Sequence, residues 1–228
     1  LHGGLRYLAQ GRVGLVREAS LEKKVLHRIV PHLAEPLPFV FPSYCGTPWP
    51  LWQLCIGVKF YDLLCSGRNL GQSQWFAKND LLRQVPGLEP KGLKGGVRYF
   101  DGLTNDSRLV IDTLRSAAKH GALVQNYCRF EAADKHGHLW NCSIHDVRRG
   151  RKCEVQAGTI VNAGGPWGDR IPHSRVKLRM TKGVHLVVDR ARLPVPCAVV
   201  LPEGKRILFA IPWSDRVILG TTDTDYQG

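Results

Sequence analysis

The sequence predicts a mixed α/β (α+β) fold. From Val13 to Ala163, amphipathic helical patterns alternate with short apolar runs, as in α/β proteins. A basic turn at 148–150 joins two strand-like segments into a hairpin. After Met180, short strand-like runs alone remain, separated by Pro, Gly or charged residues, and they predict an antiparallel sheet that forms a second layer.

Composition fits a globular chain with a real hydrophobic core. The chain has 228 residues, of which 43% are hydrophobic and 22% charged, enough for one large domain or two small ones. Lys and Arg total 32 against 19 Asp and Glu, a formal charge of +13. That charge suits an anionic substrate, a phosphate-bearing cofactor, an anionic membrane or nucleic acid. Because the charge is spread along the chain, no nucleic acid is expected.

Cysteine usage indicates a reducing compartment. The seven cysteines are an odd number, widely spaced and without a C-x-x-C pair, which argues against a disulfide framework and a zinc site. Reduced cytosolic thiols are the better interpretation, and no metal site is expected. No apolar run reaches transmembrane length, and no signal peptide is recognisable.

The first helix is predicted over 13–33. Val16, Ala19 and Leu26 belong to its inner stripe, and Lys23 belongs to the charges of the solvated face. Pro31 marks its end. The three prolines that follow, at 36, 38 and 42, are expected to break the chain and leave a short strand over 39–41.

A second helix is predicted over 49–64, where Trp, Phe and Tyr mix with aliphatic residues. It would either lie on a membrane surface or pack against the rest of the protein, and packing is the commoner outcome. Next come a short helix capped by Asn79, a turn at 91–96 and a strand over 96–100.

The next helix, capped by Asn105 or Asp106, is expected to turn Leu109, Val110 and Leu114 inward. It stops at Gly121. A strand at 123–125 and the hairpin of 138–147 and 152–163 complete this part. The later strands are predicted over 184–188, 198–201, 207–212 and 217–221.

The stretch GTIVNAGGPWGDR (158–170) has the pattern of a ligand-binding turn. Its β-branched run 159–161 predicts a buried parallel strand. The small residues at 162–165 would let a flat or charged group approach the backbone closely, and Pro166 would begin a helical turn. A tight connection without a ligand fits the spacing equally well.

The opening LHGGLRYL combines a glycine pair with His2, Arg6 and Tyr7. One interpretation is an anion-binding loop with the Arg6 guanidinium as ligand. The alternative is a solvated terminus.

Five motifs in order resemble the FAD-dependent glycerol-3-phosphate dehydrogenase family. They are LHGGLRYL (1–8), DGLTNDSRL (101–109), VNAGGPW (161–167), TKGVH (181–185), and FAIPW (209–213) with GTTDTDY (220–226). The resemblance implies an incomplete, Rossmann-like FAD-binding portion at 1–34 and 105–170. It is interleaved with a substrate portion at 35–104 and 171–228, built on a mixed, largely antiparallel sheet.

The resemblance also implies an activity. Such enzymes use FAD to oxidise sn-glycerol 3-phosphate to dihydroxyacetone phosphate, and pass the electrons to quinone or another acceptor. The implied location is the cytoplasm, with peripheral association at the inner face of the cytoplasmic membrane. A homodimer is also compatible with the family.

Site residues follow from the same resemblance. His185 would be the catalytic base, although a histidine with no such role fits a strand as well. Arg6 would be the catalytic and phosphate-binding cation, with His2, Tyr7 and Lys182 at the substrate. The residues matching the cofactor site are Gly3, Gly4, Cys128, Arg129, Ala163, Gly164, Gly165, Thr221, Thr222 and Asp223. Family members often have Thr where Gly164 stands.

One departure from the family limits these implications. No G-x-G-x-x-G turn is present in the sequence, although a dinucleotide fold needs it to hold the pyrophosphate. The 228 residues are therefore expected to be the middle of a dehydrogenase and to bind FAD poorly alone. Two alternatives stay open: a non-catalytic remnant or basic binding module, and another FAD-dependent oxidoreductase acting on amines or hydroxy acids.

Overall fold

The computed structural model describes residues 5–8, 11–64, 70–203 and 206–226. The chain divides into two compact units. Unit 1 contains Leu1–Ile111 and Gly183–Asp223, and unit 2 contains Asp112–Lys182 and Thr224–Gly228.

Five α-helices and one short 3-10 helix lie within the described residues. The α-helices are α1 (Leu5–Leu8), α2 (Val13–Ile29), α3 (Leu51–Leu64), α4 (Lys78–Gln84) and α5 (Asp106–Lys119), and the 3-10 helix is Gly165–Trp167.

Twelve strands are found in the same ranges. They are β1 (Ala34–Tyr44), β2 (Gln74–Ala77), β3 (Leu93–Thr104), β4 (Cys128–His136), β5 (Leu139–Asp146), β6 (Arg151–Ala157), β7 (Thr181–Lys182), β8 (Leu186–Asp189), β9 (Ala198–Glu203), β10 (Arg206–Trp213), β11 (Arg216–Gly220) and β12 (Thr224–Asp225).

Unit 1 is built on a seven-stranded sheet in the order β2-β3-β1-β9-β10-β11-β8. Strands β1 and β9 pair in parallel at Phe39 and Val40, and the other neighbours are antiparallel. The expectation of a mixed, largely antiparallel sheet is confirmed. The late strands do not form a separate layer, however, because the β1–β9 pairing joins them to the earlier strands.

Strand β1 is longer than the sequence predicts, since it runs through Pro36, Pro38 and Pro42. Each of these prolines stands an even number of positions from Val40 along the strand. Successive N–H groups of a strand point to opposite edges, so all three missing N–H groups belong to one edge. Because β1 pairs with β3 along its whole length, that edge is the one facing β9, where pairing is confined to Phe39 and Val40. The prolines therefore do not break the β1–β3 ladder.

Both faces of this sheet are covered. Phe39 and Phe41 on one face pack with Val58 of α3 and Val16 of α2. Val40 lies between Phe39 and Phe41, so its side chain points to the other face. There it packs in a cluster that includes residues of α4. The alternation of the strand thus places one hydrophobic cluster on each side.

Three sequence-based element assignments are wrong or incomplete in the helices. The buried residues of α2 are Val16, Ser20 and Lys23, so Lys23 lies inward and not on the solvated face. None of the residues of α5 is buried: Val110 and Leu114 are exposed, and Leu109 is half-buried. Helix α4 begins at Lys78, one position before the expected cap Asn79. Periodicity shows which residues share a face, and neighbouring elements decide whether that face is covered.

Unit 2 contains the antiparallel sheet β4-β5-β6 and the short pair β7–β12. The hairpin around the basic turn is confirmed as β5 and β6. Two strand predictions are wrong: residues 123–125 and 159–161 are irregular, with Leu123 94% and Val161 83% exposed. A β-branched run becomes a strand when a ladder partner is available, and neither segment pairs in the described structure.

Within the described ranges, every helix is too short or too polar to cross a membrane.

Candidate functional site

Two of the sequence motifs meet in unit 1. Strand β11 ends at Gly220, and β8 begins at Leu186, directly after His185. The two strands are antiparallel neighbours with Leu219 opposite Leu186, so the pairing brings His185 beside Gly220. We call the residues 183–185 and 220–222 the His185 corner.

The imidazole of His185 lies directly against the backbone of Gly220. A Cβ atom built on Gly220 would be 2.4 Å from Cδ2 and 2.9 Å from Cγ of the ring. The space for a side chain at position 220 is therefore filled by the imidazole. His185 itself is exposed, so the ring rests on Gly220 and is accessible from solvent.

Hydrogen bonds hold the two segments of the His185 corner together. The Val184 N–H donates to Thr222 Oγ1 at 2.9 Å, and the Thr222 N–H donates to the Val184 carbonyl at 3.3 Å. The Thr221 hydroxyl donates to the Thr222 carbonyl at 2.8 Å. A Cβ on Gly183 would lie 2.6 Å from Thr221 Oγ1, so a second glycine is needed for this close approach.

This arrangement offers specific chemistry. A neutral imidazole can accept a proton from a substrate hydroxyl near neutral pH. The hydrogen bonds between Val184 and Thr222 hold the backbone next to the ring in place. Thr221, Thr222 and Asp223 are exposed beside it. The corner can therefore present an accessible base, with polar groups next to it, to a bound ligand.

The N-terminal motif is described in part. His2, Gly3 and Gly4 lie outside the described residues. Arg6 is part of α1, and its side chain is also outside the description. Tyr7 is half-buried and packs against the hydrophobic cluster of α2, α3 and the sheet.

The small-residue turn belongs to unit 2 and is closed by one asparagine. Asn162 Nδ2 donates to the Gly168 carbonyl at 2.8 Å, and its Oδ1 accepts from the Gly164 N–H at 3.0 Å. Gly165 has a left-handed φ of +53° with open space beside its Cα, and Ala163 is exposed. The turn is thus ordered by its own hydrogen bonds, and its backbone is open to a ligand at Ala163 and Gly165 but not at half-buried Gly164.

Three more candidates are in unit 2. Lys182 is exposed at the end of β7, and its Nζ lies 6.0 Å from the centre of the Tyr226 ring. Cys128 and Arg129 begin β4, where they pair with Asp146 and His145, and both are exposed.

Sequence reasoning missed a buried polar cluster in unit 1. Lys23 Nζ lies 2.7 Å from Asp101 Oδ1 and donates to the Tyr61 hydroxyl at 3.0 Å, and that hydroxyl donates to Asp101 Oδ1 at 3.1 Å. The Lys23 and Asp101 side chains are 3% and 5% exposed. Burial, and then the charge of Asp101, raise the pKa of neighbouring Tyr99 well above its ordinary value. The cluster links α2, α3 and β3.

A signal for this cluster exists in the sequence. Lys23 is seven positions after Val16, two turns along the same helical face, and Asp101 opens the DGLTNDSRL motif. A charged side chain on the buried face of a helix is stable only when an opposite charge lies beside it. The position of Lys23 therefore predicts an acidic partner inside the protein.

A cavity of about 410 Å³ lies between β2 and α4. None of the candidate site residues lines it. Its lining residues are Gln74, Trp75, Phe76, Ala77, Asp80, Arg83 and Gln84.

Comparison with known families covers the whole chain. Residues 1–228 match the DAO family, described as FAD dependent oxidoreductase. Glycerol-3-phosphate dehydrogenase 2 of Mycobacterium tuberculosis is 38% identical over 99% of this chain and 40% of its own length. Alpha-glycerophosphate oxidase of Streptococcus pyogenes serotype M1 is 35% identical over 100% of this chain and 40% of its own. The chain thus spans about two fifths of these relatives.

Solved structures agree with this result. Glycerol-3-phosphate dehydrogenase from Bacillus halodurans, complexed with FAD, superposes with a TM-score of 0.72 at 26% identity, over 95% of this chain and 39% of that one. Glycine oxidase from Geobacillus kaustophilus gives a TM-score of 0.64 at 18% identity, over 93% of this chain and 57% of that one. The second likeness is one of fold alone. The mixed α/β fold class expected from the sequence is confirmed.

Proposed function

Because the chain belongs to the FAD dependent oxidoreductase family, we propose that the protein oxidises sn-glycerol 3-phosphate to dihydroxyacetone phosphate with FAD as its cofactor. The observation that carries the proposal is the meeting of TKGVH and GTTD at the His185 corner. Relatives named glycerol-3-phosphate dehydrogenase and alpha-glycerophosphate oxidase support the choice of substrate.

His185 is assigned the role of general base. Its exposed imidazole accepts the proton of the substrate C2 hydroxyl as the C2–H bond breaks. When bound, FAD would supply the two-electron oxidant that takes up the hydride of C2. The oxidised carbon becomes the ketone carbonyl, and the proton stays on the imidazole until it is released to solvent. The packing of the ring against Gly220 supports this role because it limits the orientations that the imidazole can adopt.

The exposed polar groups of the His185 corner suit the flavin end of FAD. Thr221, Thr222 and Asp223 offer exposed polar groups beside His185. In the turn of Ala163, Gly164 and Gly165, exposed Ala163 and the open space at Gly165 would let a flat or anionic group approach the backbone closely, whereas Gly164 is half-buried with its N–H bonded to Asn162. We assign these six residues to the cofactor, with Gly3, Gly4, Cys128 and Arg129 as further contacts.

The substrate phosphate is assigned to Arg6, supported by His2, Tyr7 and Lys182. A guanidinium can donate two charge-assisted hydrogen bonds to phosphate oxygens, which a single ammonium cannot match in geometry. The formal charge of +13 also favours a doubly anionic substrate, because a net positive charge attracts anions over a distance. In this proposal, residues 1–34 and 105–170 form most of the cofactor-binding portion and also provide His2, Arg6 and Tyr7 for the substrate. Residues 35–104 and 171–228 form most of the substrate-binding portion and also provide Thr221, Thr222 and Asp223 for the cofactor.

The electron acceptor is proposed to be a quinone, reached by peripheral association with the inner face of the cytoplasmic membrane, and the protein is proposed to act as a homodimer. The relatives are named both as dehydrogenases and as an oxidase. Oxygen consumption during turnover distinguishes an oxidase from a quinone-linked enzyme.

Replacing His185 tests the catalytic assignment. We expect His185→Asn in the full-length protein to lower kcat for glycerol 3-phosphate by about 100- to 10,000-fold, since a positioned base contributes that much. Dye-linked turnover measures the loss, and flavin absorbance measures whether FAD is still bound.

The matched control is His138→Gln, which changes an exposed histidine of unit 2 and should leave kcat unchanged. Full turnover by His185→Asn contradicts the assigned role. Wild-type protein that turns over an amino acid or another hydroxy acid, and not glycerol 3-phosphate, contradicts the proposed substrate.

A further inference from the structure

The strand pair β7–β12 of unit 2 is short. Each strand contributes two residues, with Lys182 opposite Thr224, and so small a ladder has little stability of its own. The Tyr226 N–H donates to the Met180 carbonyl at 3.0 Å and extends the ladder by one step. The side chains at this end of the pair therefore help to decide whether the two strands stay together.

A guanidinium fork joins the two strands on one face. Asp225 lies opposite Thr181, and Arg179 stands two positions before Thr181, so strand alternation places Arg179 and Asp225 on the same face. The Arg179 Nη2 donates to Asp225 Oδ2 at 2.7 Å and to Oδ1 at 2.8 Å, and Nε donates to Oδ1 at 3.1 Å. The two side chains are 81% and 63% exposed, so the pair contributes little to stability. Its planar geometry nevertheless fixes the two strands in one arrangement.

The other face of the pair carries Lys182. Lys182 and Tyr226 alternate with the residues of the fork, so they share the opposite face. The Lys182 Nζ lies 6.0 Å from the centre of the Tyr226 ring, within reach of a cation–π attraction. Both side chains are exposed, so the ring places the ammonium and leaves it open to an anion. Because Tyr226 follows Asp225 directly, the fork that holds Asp225 also sets the position of the ring.

We propose that Arg179 is a positioning residue that holds Lys182 where it binds the substrate phosphate. The fork keeps β12 against β7, and this pairing keeps the Tyr226 ring beside the Lys182 ammonium. The ammonium then has fewer conformations to lose when it meets the phosphate. Arg179 itself lies on the other face and acts through Lys182. The inference deepens the proposed function and rests on its assignment of Lys182 to the phosphate.

The expected effect is on substrate binding and not on the chemical step. Without the fork, Lys182 must be ordered when the substrate binds, and ordering one long side chain lowers affinity by about 2- to 10-fold. His185 belongs to the corner in unit 1, which has its own hydrogen bonds between Val184 and Thr222. We therefore expect KM to rise while kcat stays within about twofold of wild type.

Steady-state kinetics of the holoenzyme, with glycerol 3-phosphate and a soluble dye acceptor, test the proposal. Arg179→Gln and Asp225→Asn each remove the fork, so each should raise KM by about 2- to 10-fold. The double variant should match either single variant, because the two side chains act as one pair. Asp225→Glu retains the carboxylate and should keep KM within about twofold of wild type.

Lys182→Gln connects the effect to its target. This variant should raise KM at least as much as Arg179→Gln, and adding Arg179→Gln to it should raise KM no further. Arg115→Gln is the matched control, because it makes the same change of charge in unit 2, at an exposed pair whose Arg115 Nη1 lies 3.6 Å from Asp112 Oδ1. Its KM should equal that of wild type.

Other results would overturn the inference. A wild-type KM in Arg179→Gln shows that the fork has no effect on substrate binding. A raised KM in Arg179→Gln, with Asp225→Asn unchanged, shows that the guanidinium contacts the substrate itself. A further rise when Arg179→Gln is added to Lys182→Gln shows that the fork acts by another route, and a joint fall of kcat and Tm shows a purely structural role. Wild-type enzyme without turnover of glycerol 3-phosphate contradicts the proposed function, and the inference falls with it.

Discussion

At the scale of single residues, two glycines decide the geometry of the His185 corner. Gly220 leaves room for the imidazole, and Gly183 leaves room for the Thr221 hydroxyl. In both places, the nearest atom that a Cβ would meet is closer than 3.0 Å. The motifs TKGVH and GTTDTDY each contain one of these glycines, and their contact explains why each motif needs one.

Gly220→Ala tests that explanation. The new methyl group must push the His185 ring away, so we expect kcat to fall about 10- to 100-fold, because small displacements of a catalytic group cost about that much. Gly87→Ala is the control, since Gly87 has open space around its Cα and no left-handed φ. Steady-state kinetics measure both variants, and an unchanged kcat in Gly220→Ala would show that the ring position does not matter.

The buried pair Lys23 and Asp101 is a second residue-scale feature with a measurable effect. Asp101→Asn removes the negative charge 2.7 Å from the buried Lys23 ammonium, and we expect the free energy of unfolding to fall by about 3–5 kcal/mol. The exposed pair Arg83 and Asp80 is the comparison, and Arg83→Gln should cost less than about 1 kcal/mol. Denaturant titration measures both values, and equal small losses would contradict the structural role of the cluster.

At the scale of elements, burial and pairing explain which sequence predictions succeeded. The strands after Met180 and the helix α3 were expected near their observed bounds. The prolines of β1 concealed a long strand, because proline is tolerated wherever its missing N–H points to an unpaired edge. The run at 159–161 has strand-forming residues and no partner. Local sequence reports propensity, and the ladder partner is set by distant residues.

The sheet β4-β5-β6 should respond to acid through one carboxylate. A hydrogen bond from Lys152 lowers the pKa of Glu131 below its ordinary value of 4.5, and His145, 3.2 Å away, acts in the same direction. A lowered pKa in the folded state stabilises the protein above about pH 4.5, and this contribution is lost as the pH falls through the lowered value.

Glu131→Gln should therefore weaken the acid dependence of Tm between neutral pH and pH values below 4.5, since glutamine does not titrate. Glu154→Gln, at an exposed position of β6, should keep the wild-type dependence. Thermal melts across this pH range compare the three proteins. Parallel curves for wild type and Glu131→Gln would show that this carboxylate does not couple folding to pH.

At the scale of the whole molecule, the 228 residues hold catalytic and cofactor candidates but no G-x-G-x-x-G turn. That turn supplies the backbone N–H groups that hold a pyrophosphate. We expect the 228-residue chain to retain little FAD after purification. The ratio of flavin absorbance to protein absorbance decides the matter, and stoichiometric yellow material from the short chain would contradict the prediction.

The sequence by itself determined the family, the order of the motifs and most elements, because these depend on residue types and short-range spacing. It also predicted a mixed, largely antiparallel sheet. The tertiary structure alone decided that β9 joins β1 in one sheet, that Lys23 is buried against Asp101, and that His185 rests on Gly220. Each of these is a contact between residues far apart in the chain, and such contacts are set by packing of whole elements and not by local propensity.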